Sequence, residues 1–112
     1  MKYMLLVCRD PSIRVDREEA AAAGRAVGVW VRELDERGMH LDGDQLAPPA
    51  DARTIRIRQD EVVVSDGPFA ETREHIAGFD ILECSDLDEA IEVASRHPVA
   101  RFGTIEVRPF GG

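Results

Sequence analysis

Ala77–Arg108, AGFDILECSDLDEAIEVASRHPVARFGTIEVR, carries a strand pattern on either side of a helix pattern, and its reading decides the fold. Ala77–Cys84 reads as a strand. Asp86, followed three residues later by Glu89, has the form of a capping box, in which the first side chain accepts a backbone N–H of the opening turn. Leu87, Ala90, Ile91 and Ala94 then fall at i, i+3, i+4 and i+7, the spacing of one helix face. This predicts an amphipathic helix over Leu87 to Arg96. Pro98 pushes His97 out of helical geometry and ends it. In Gly103–Arg108, GTIEVR, Ile105 and Val107 face one way and Thr104, Glu106 and Arg108 the other, as on a strand.

Working back toward the N-terminus, Gln59 and Asp60 form a tight turn between TIRIR (Thr54–Arg58) and EVVVS (Glu61–Ser65), so this segment reads as a β-hairpin. Ile55 and Ile57 lie on one of its faces and Arg56 and Arg58 on the other. Met39–Leu46 reads as a strand with a kink at Gly43, followed by a stiff Pro48-Pro49-Ala50 loop. A long helix precedes it. Asp16 and Glu19 repeat the capping pattern, and Ala20, Ala23, Val27, Trp30 and Leu34 follow with gaps of three and four. Gly38 stands in the usual terminating position. Gly24 and Gly28, four apart on one side of this helix, are expected to let another backbone come close. Met1–Cys8, MKYMLLVC, is a nearly continuous apolar run of the kind found in a strand covered on both faces.

The order is β, α, β, hairpin, β, α, β. Without the hairpin it is βαββαβ, which predicts a single α+β domain over residues 1–112, with a ferredoxin-like antiparallel sheet, both helices on one face and an inserted β-hairpin. The opposite face would then expose apolar residues of the first strand. Stacking sheet on sheet in a homodimer covers them, and the expected site is a cleft between the sheets.

Composition narrows the function. With 22 acidic against 14 basic residues, the net charge is −8, which argues against a nucleic-acid partner, since phosphates need a basic stripe. No apolar run is long enough to span a membrane, and the N-terminus opens as a strand with no secretory signal pattern. A cytoplasmic location is expected. Cys8 and Cys84 form no CxxC pair and read as small buried hydrophobes. His40, His75 and His97 lie on different segments without metal-ligand spacing, so no metal site is expected, and Trp30 reads as core.

The candidate site residues centre on SDGPFAETREH, Ser65–His75. One reading is a turn: Asp66 bonds to backbone N–H groups further on, Gly67 and Pro68 set the backbone, and Phe69 anchors the loop in the core. The other makes Asp66 and Glu71 carboxylates held at the cleft mouth for acid–base work, with His75 a further acid–base candidate. Arg56, Arg73 and Arg108, with Phe69, are the candidate substrate-binding residues. An arginine can hold a carboxylate through two parallel N–H···O bonds, or it can simply pair with Glu71, Glu74 or Glu106.

MKYMLLV, TIRIR, DGPFAETRE, GFDILE, SDLDEAIEVA and the closing IEVRP together resemble the DGPF-type proteins of the YCII-related family, across nearly the whole chain. The resemblance implies a dimeric α/β barrel of bacterial origin and chemistry without a cofactor, such as proton transfer or elimination on a small organic acid or cyclic compound. Some YCII-related proteins are thought to use a histidine–aspartate pair, one branch being linked to ring dehalogenation. The histidine of that pair would sit in the first helix, and Asp16–Arg37 here contains none. DGPF proteins are also associated with transcription initiation. The alternative reading is therefore a non-catalytic protein-interaction module in which the DGPF loop is structural.

Overall fold

The computed structural model of the chain describes residues 1–112. The elements run β1 (Lys2–Arg9), α1 (Arg17–Glu36), β2 (His40–Gln45), β3 (Arg53–Arg58), β4 (Glu61–Asp66), β5 (His75–Glu83), α2 (Leu87–Ser95) and β6 (Thr104–Pro109). Short 3-10 turns cover Pro49–Asp51 and Pro98–Arg101.

Both helices start and stop where the sequence signals stand. Asp16 accepts the Glu19 N–H at 2.8 Å and Asp86 accepts the Glu89 N–H at 2.9 Å. These side chains satisfy donors that a helix N-terminus cannot satisfy internally. α1 ends in a Schellman motif, with Met39 N–H on the Leu34 carbonyl, Gly38 N–H on the Asp35 carbonyl, and Gly38 at φ 68°. That left-handed φ is why a glycine stands there. His97 is extended and α2 stops before it.

The main sheet has the order β2-β5-β1-β6 and is antiparallel throughout. This is the split βαββαβ arrangement of the ferredoxin-like fold, and the sheet is open, with β2 and β6 at its edges. Tyr3, Leu5 and Val7 of β1 point to the helix face, level with Leu82, Asp80 and Gly78 of β5. One core cluster joins Tyr3, Leu5 and Leu82 to Trp30 and Leu34 of α1 and to Ala90, Val93 and Ala94 of α2, so both helices cover the same face. Trp30 Nε1–H donates to the Val93 carbonyl at 3.1 Å, which ties the helices together. Cys84 is buried, Cys8 half-buried, and both are free thiols.

β3 and β4 pair only with each other. Gln59 and Asp60, both at positive φ (51° and 64°), make the two-residue turn between them, in the primed geometry that suits strand twist. The register puts Ile55 opposite Val64 and Ile57 opposite Val62. These four side chains make one apolar face, yet they are 66, 59, 62 and 66 % exposed, respectively. The hairpin is an arm that scarcely touches the main sheet. Gly24 and Gly28 do not bring another backbone close. Nothing lies within 4 Å of a Cβ placed on Gly24, and Gly28 would meet only the end of Arg32. No helix is long and apolar enough to cross a membrane.

Candidate active site

Asp80 occupies an inward position of β5, between Gly78 and Leu82, where the alternation calls for an apolar side chain. A carboxylate there needs a partner. His40, at the start of β2, supplies one: its Nε2 lies 2.8 Å from Asp80 Oδ1. The β2–β5 register shifts between His40 and Asp42, and this bulge lets His40 sit level with Leu82 while Gly43 comes opposite Asp80. A Cβ on Gly43 would stand 2.4 Å from Asp80 Oδ1 and 2.8 Å from the Phe79 carbonyl. Glycine is therefore a steric requirement of the pair.

His97 closes the group from the far side. Its Nδ1 accepts the Val99 N–H at 3.1 Å, so in the neutral ring the proton sits on Nε2, which lies 3.8 Å from Asp80 Oδ2. Burial pushes the His97 pKa down to about 4, which keeps the ring neutral at pH 7. Burial also pushes the Asp80 pKa up, opposed by its hydrogen bond and charge interaction with His40. Asp80 is thus a desolvated carboxylate with one close hydrogen-bond partner. Trp30 packs edge-on against both imidazoles, with ring centroids 6.1 Å from His40 and 4.8 Å from His97, and holds the two rings in place.

The pair opens onto a cavity of about 520 Å³ between α1 and the sheet. Its helix wall is Ala20, Ala23, Gly24, Val27 and Val31. The small residues of α1 leave room where larger ones would fill it, and this is what Gly24 contributes. The volume is in the range of small-molecule sites, and the wall is apolar with a few polar groups converging. No three His, Cys, Asp or Glu side chains are placed to hold a metal ion.

The residues expected from the Ser65–His75 stretch lie elsewhere. None of Asp66, Glu71, Arg56, Arg73, Arg108 and Phe69 lines this cavity, which lies on the helix side of the sheet and not beside the DGPF loop. Asp66 pairs with Arg53 at 3.2 Å with its side chain 90 % exposed. It accepts no backbone N–H, and the loop is closed instead by Gly67 N–H on the Ala52 carbonyl and by Thr54 Oγ1 on the Gly67 carbonyl. Gly67, at φ 87°, supplies the left-handed turn. Phe69 is 76 % exposed and anchors nothing in the core. Arg56 donates to the Phe69 carbonyl at 3.2 Å. Arg73 lies 3.6 Å from Asp10, and Arg108 pairs with Glu106. Glu71 is exposed. His75 lines a smaller, adjoining cavity with Arg9, Asp10 and Gln45. The histidines also depart from the sequence reading, because two of the three converge on Asp80. Trp30 is core, as its spacing indicates, and supports the site from behind.

Comparison with known proteins sets this geometry in a family. An uncharacterised protein of Rhizobium meliloti (strain 1021) is 35% identical over 113 residues, covering 97% of this chain and 91% of that one. The 5-chloro-2-hydroxyhydroquinone dehydrochlorinase of Burkholderia phenoliruptrix AC1100, solved in complex with 2,5-dihydroxybenzoquinone, superposes with a TM-score of 0.56 at 13% identity, over 98% of this chain and 93% of that one. At that identity the likeness is one of fold. The model of the YCII-related domain matches residues 1–110, and the chain belongs to the YCII-related family.

Proposed function

We propose that the chain is a small-molecule enzyme in which the His40–Asp80 pair moves a proton on a small cyclic organic compound held between α1 and the sheet. The observation that carries this reading is the 2.8 Å contact between His40 Nε2 and Asp80 Oδ1 at the wall of a 520 Å³ cavity. The carboxylate orients the imidazole and stabilises it once it has taken a proton, the arrangement that makes a histidine an effective general base. His97 and Trp30 keep water and rotation out of the pair. Where a leaving group stands on the ring, the electrons of the broken C–H or O–H bond move into the ring. The leaving group departs with the electrons of its own bond, and the proton ends on the pair. That the similar fold from Burkholderia belongs to a dehydrochlorinase of a small hydroxylated ring supports this choice of substrate class.

The working form in this reading is a homodimer. A compact chain of this length has a radius of gyration of about 13 Å, against 16.0 Å here. The excess reflects the projecting hairpin, whose apolar face needs a cover. The β1 face opposite the helices, with half-buried Met4 and Leu6, needs one as well.

The test is a titration of 2,5-dihydroxybenzoquinone into isotope-labelled protein, following the amides of Gly43, Gly78 and Ala23. Saturable shifts at these residues, lost in Gly24→Leu, are expected. For any ring compound that is turned over, His40→Gln should lower the rate by roughly 10²–10⁴-fold, the usual weight of a general base. Shifts confined to the hairpin or the Ser65–His75 loop, or turnover unchanged in His40→Gln, would overturn the reading.

A further inference from the structure

Arg9 ends β1 at the wall shared by the two cavities. Its guanidinium carbon stands 4.7 Å from the centre of the Phe102 ring, which fixes the side chain. Its Nε is buried and has no hydrogen-bond partner. The arginines in ion pairs are Arg53, Arg73, Arg96 and Arg108; Arg9 is in none, although acidic residues outnumber basic ones 22 to 14. Apart from the histidines, it is the one basic side chain lining the larger cavity. A guanidinium whose Nε is shut off from water with no acceptor leaves one donor unsatisfied, and its fork geometry suits a carboxylate or a similar oxyanion.

Resting on the acid–base reading of the His40–Asp80 pair, we infer that Arg9 is the anion-binding subsite of the cavity and that the substrate is a ring compound bearing a carboxylate or another anionic oxygen. Asp80 lies beside Leu5 in the β1–β5 register. Four residues of strand therefore separate the pair from Arg9, about 13 Å along the sheet at the usual rise. Part of that span is taken up by the arginine side chain, and the rest accommodates one six-membered ring. The anion would be held at the Arg9 end, and the atom that gives up its proton would face His40. The Asp80 carboxylate, at the opposite end and bonded to His40, does not compete for the cation. Phe102 orients the guanidinium and lines the same cavity.

Benzoate and benzamide have nearly the same shape and differ in charge, so the two are titrated separately against the wild type, Arg9→Gln and Arg9→Lys, with Gly43 and Gly78 amide shifts as the readout. The expected result is at least tenfold tighter binding of benzoate by the wild type. The preference should be lost in Arg9→Gln and partly kept in Arg9→Lys. Equal affinity of the wild type for the two compounds overturns the inference, and so does a benzoate preference that survives in Arg9→Gln. In both cases cavity binding, and with it the acid–base reading, still stands. If only 2,5-dihydroxybenzoquinone, a vinylogous acid ionised at neutral pH, shifts the cavity amides, it takes the place of benzoate: equal affinity in the wild type and Arg9→Gln overturns the anion subsite alone, and binding at least tenfold weaker in Arg9→Gln supports it. If none of the three does, both readings fall together.

Discussion

Acid should destabilise this protein through His97, and the size of the effect follows from its surroundings. The ring is 3 % exposed, and its one acceptor nitrogen is already bonded to the Val99 N–H. Its pKa falls from the free value of 6.5 to about 4 on folding. Between these two values the unfolded chain binds a proton that the native chain refuses. Stability due to this group is therefore fully present above pH 6.5 and is lost as the pH falls toward 4. Each unit of pKa difference is worth about 1.4 kcal/mol, so the loss across the window comes to about 3 kcal/mol. Asp80 acts in the opposite sense. Its raised pKa means that protonation relieves part of its burial penalty, so the wild-type curve alone understates the His97 contribution. His97→Gln isolates it. Urea unfolding of both proteins at pH 7, 6, 5 and 4, at one protein concentration, should show the wild type losing about 3 kcal/mol relative to the variant. The part of the substitution's cost that does not vary with pH drops out of the slope, and Asp80, 3.8 Å from the ring, is present in both proteins. Parallel curves for the two proteins would refute the reasoning.

Three other outcomes can be checked independently. Gly43→Ala should cost about 1–3 kcal/mol by overpacking, read from the urea midpoint, and should abolish ring binding in the cavity because the added carbon lands on Asp80 Oδ1 at 2.4 Å. Asp86→Ala removes the acceptor of the Glu89 N–H and should cost about 1 kcal/mol, whereas Asp66→Ala, whose side chain is 90 % exposed, should stay within about 0.5 kcal/mol of wild type. Ile57→Glu puts a charge into the exposed face of the hairpin. Light scattering at micromolar concentration should give a dimer for the wild type and a monomer for this variant; a monomeric wild type would remove the dimer from the proposal.

The helices were legible because local chemistry specifies their ends. Asp16 and Asp86 each cap a helix in the manner that the spacing to Glu19 and Glu89 indicates, and Gly38 and Pro98 mark the stops. Gln59-Asp60 marks the hairpin in the same way. The site was not legible by that route. His40, Asp80 and His97 come from β2, β5 and the turn after α2, and only the sheet order brings them together. One signal was present: in GFDILE, Asp80 holds the inward phase shared by Gly78 and Leu82, and a charge in a buried phase asks for a partner. The DGPF stretch drew attention through its density of special residues. Of those residues Gly67 takes the left-handed φ of a turn, while Asp66, Phe69 and Glu71 face solvent. Gly24 misled for a related reason. A small residue on a helix face can admit a neighbouring backbone or leave a space, and the sequence does not say which.

The position of β1 between β5 and β6 also governs the timing of folding. β1 leaves the ribosome well before either of its neighbours, which are the last two strands of the sheet to be made. Until His75–Pro109 have emerged, MKYMLLVC remains an apolar segment with unpaired edges. Local hairpin and helix formation can proceed early, but closing the sheet waits for the longest loop in the chain, and folds dominated by such distant pairings form slowly. The nascent protein is thus most prone to aggregation through this strand, and a chain that stops before Thr104 would leave β1 with one open edge.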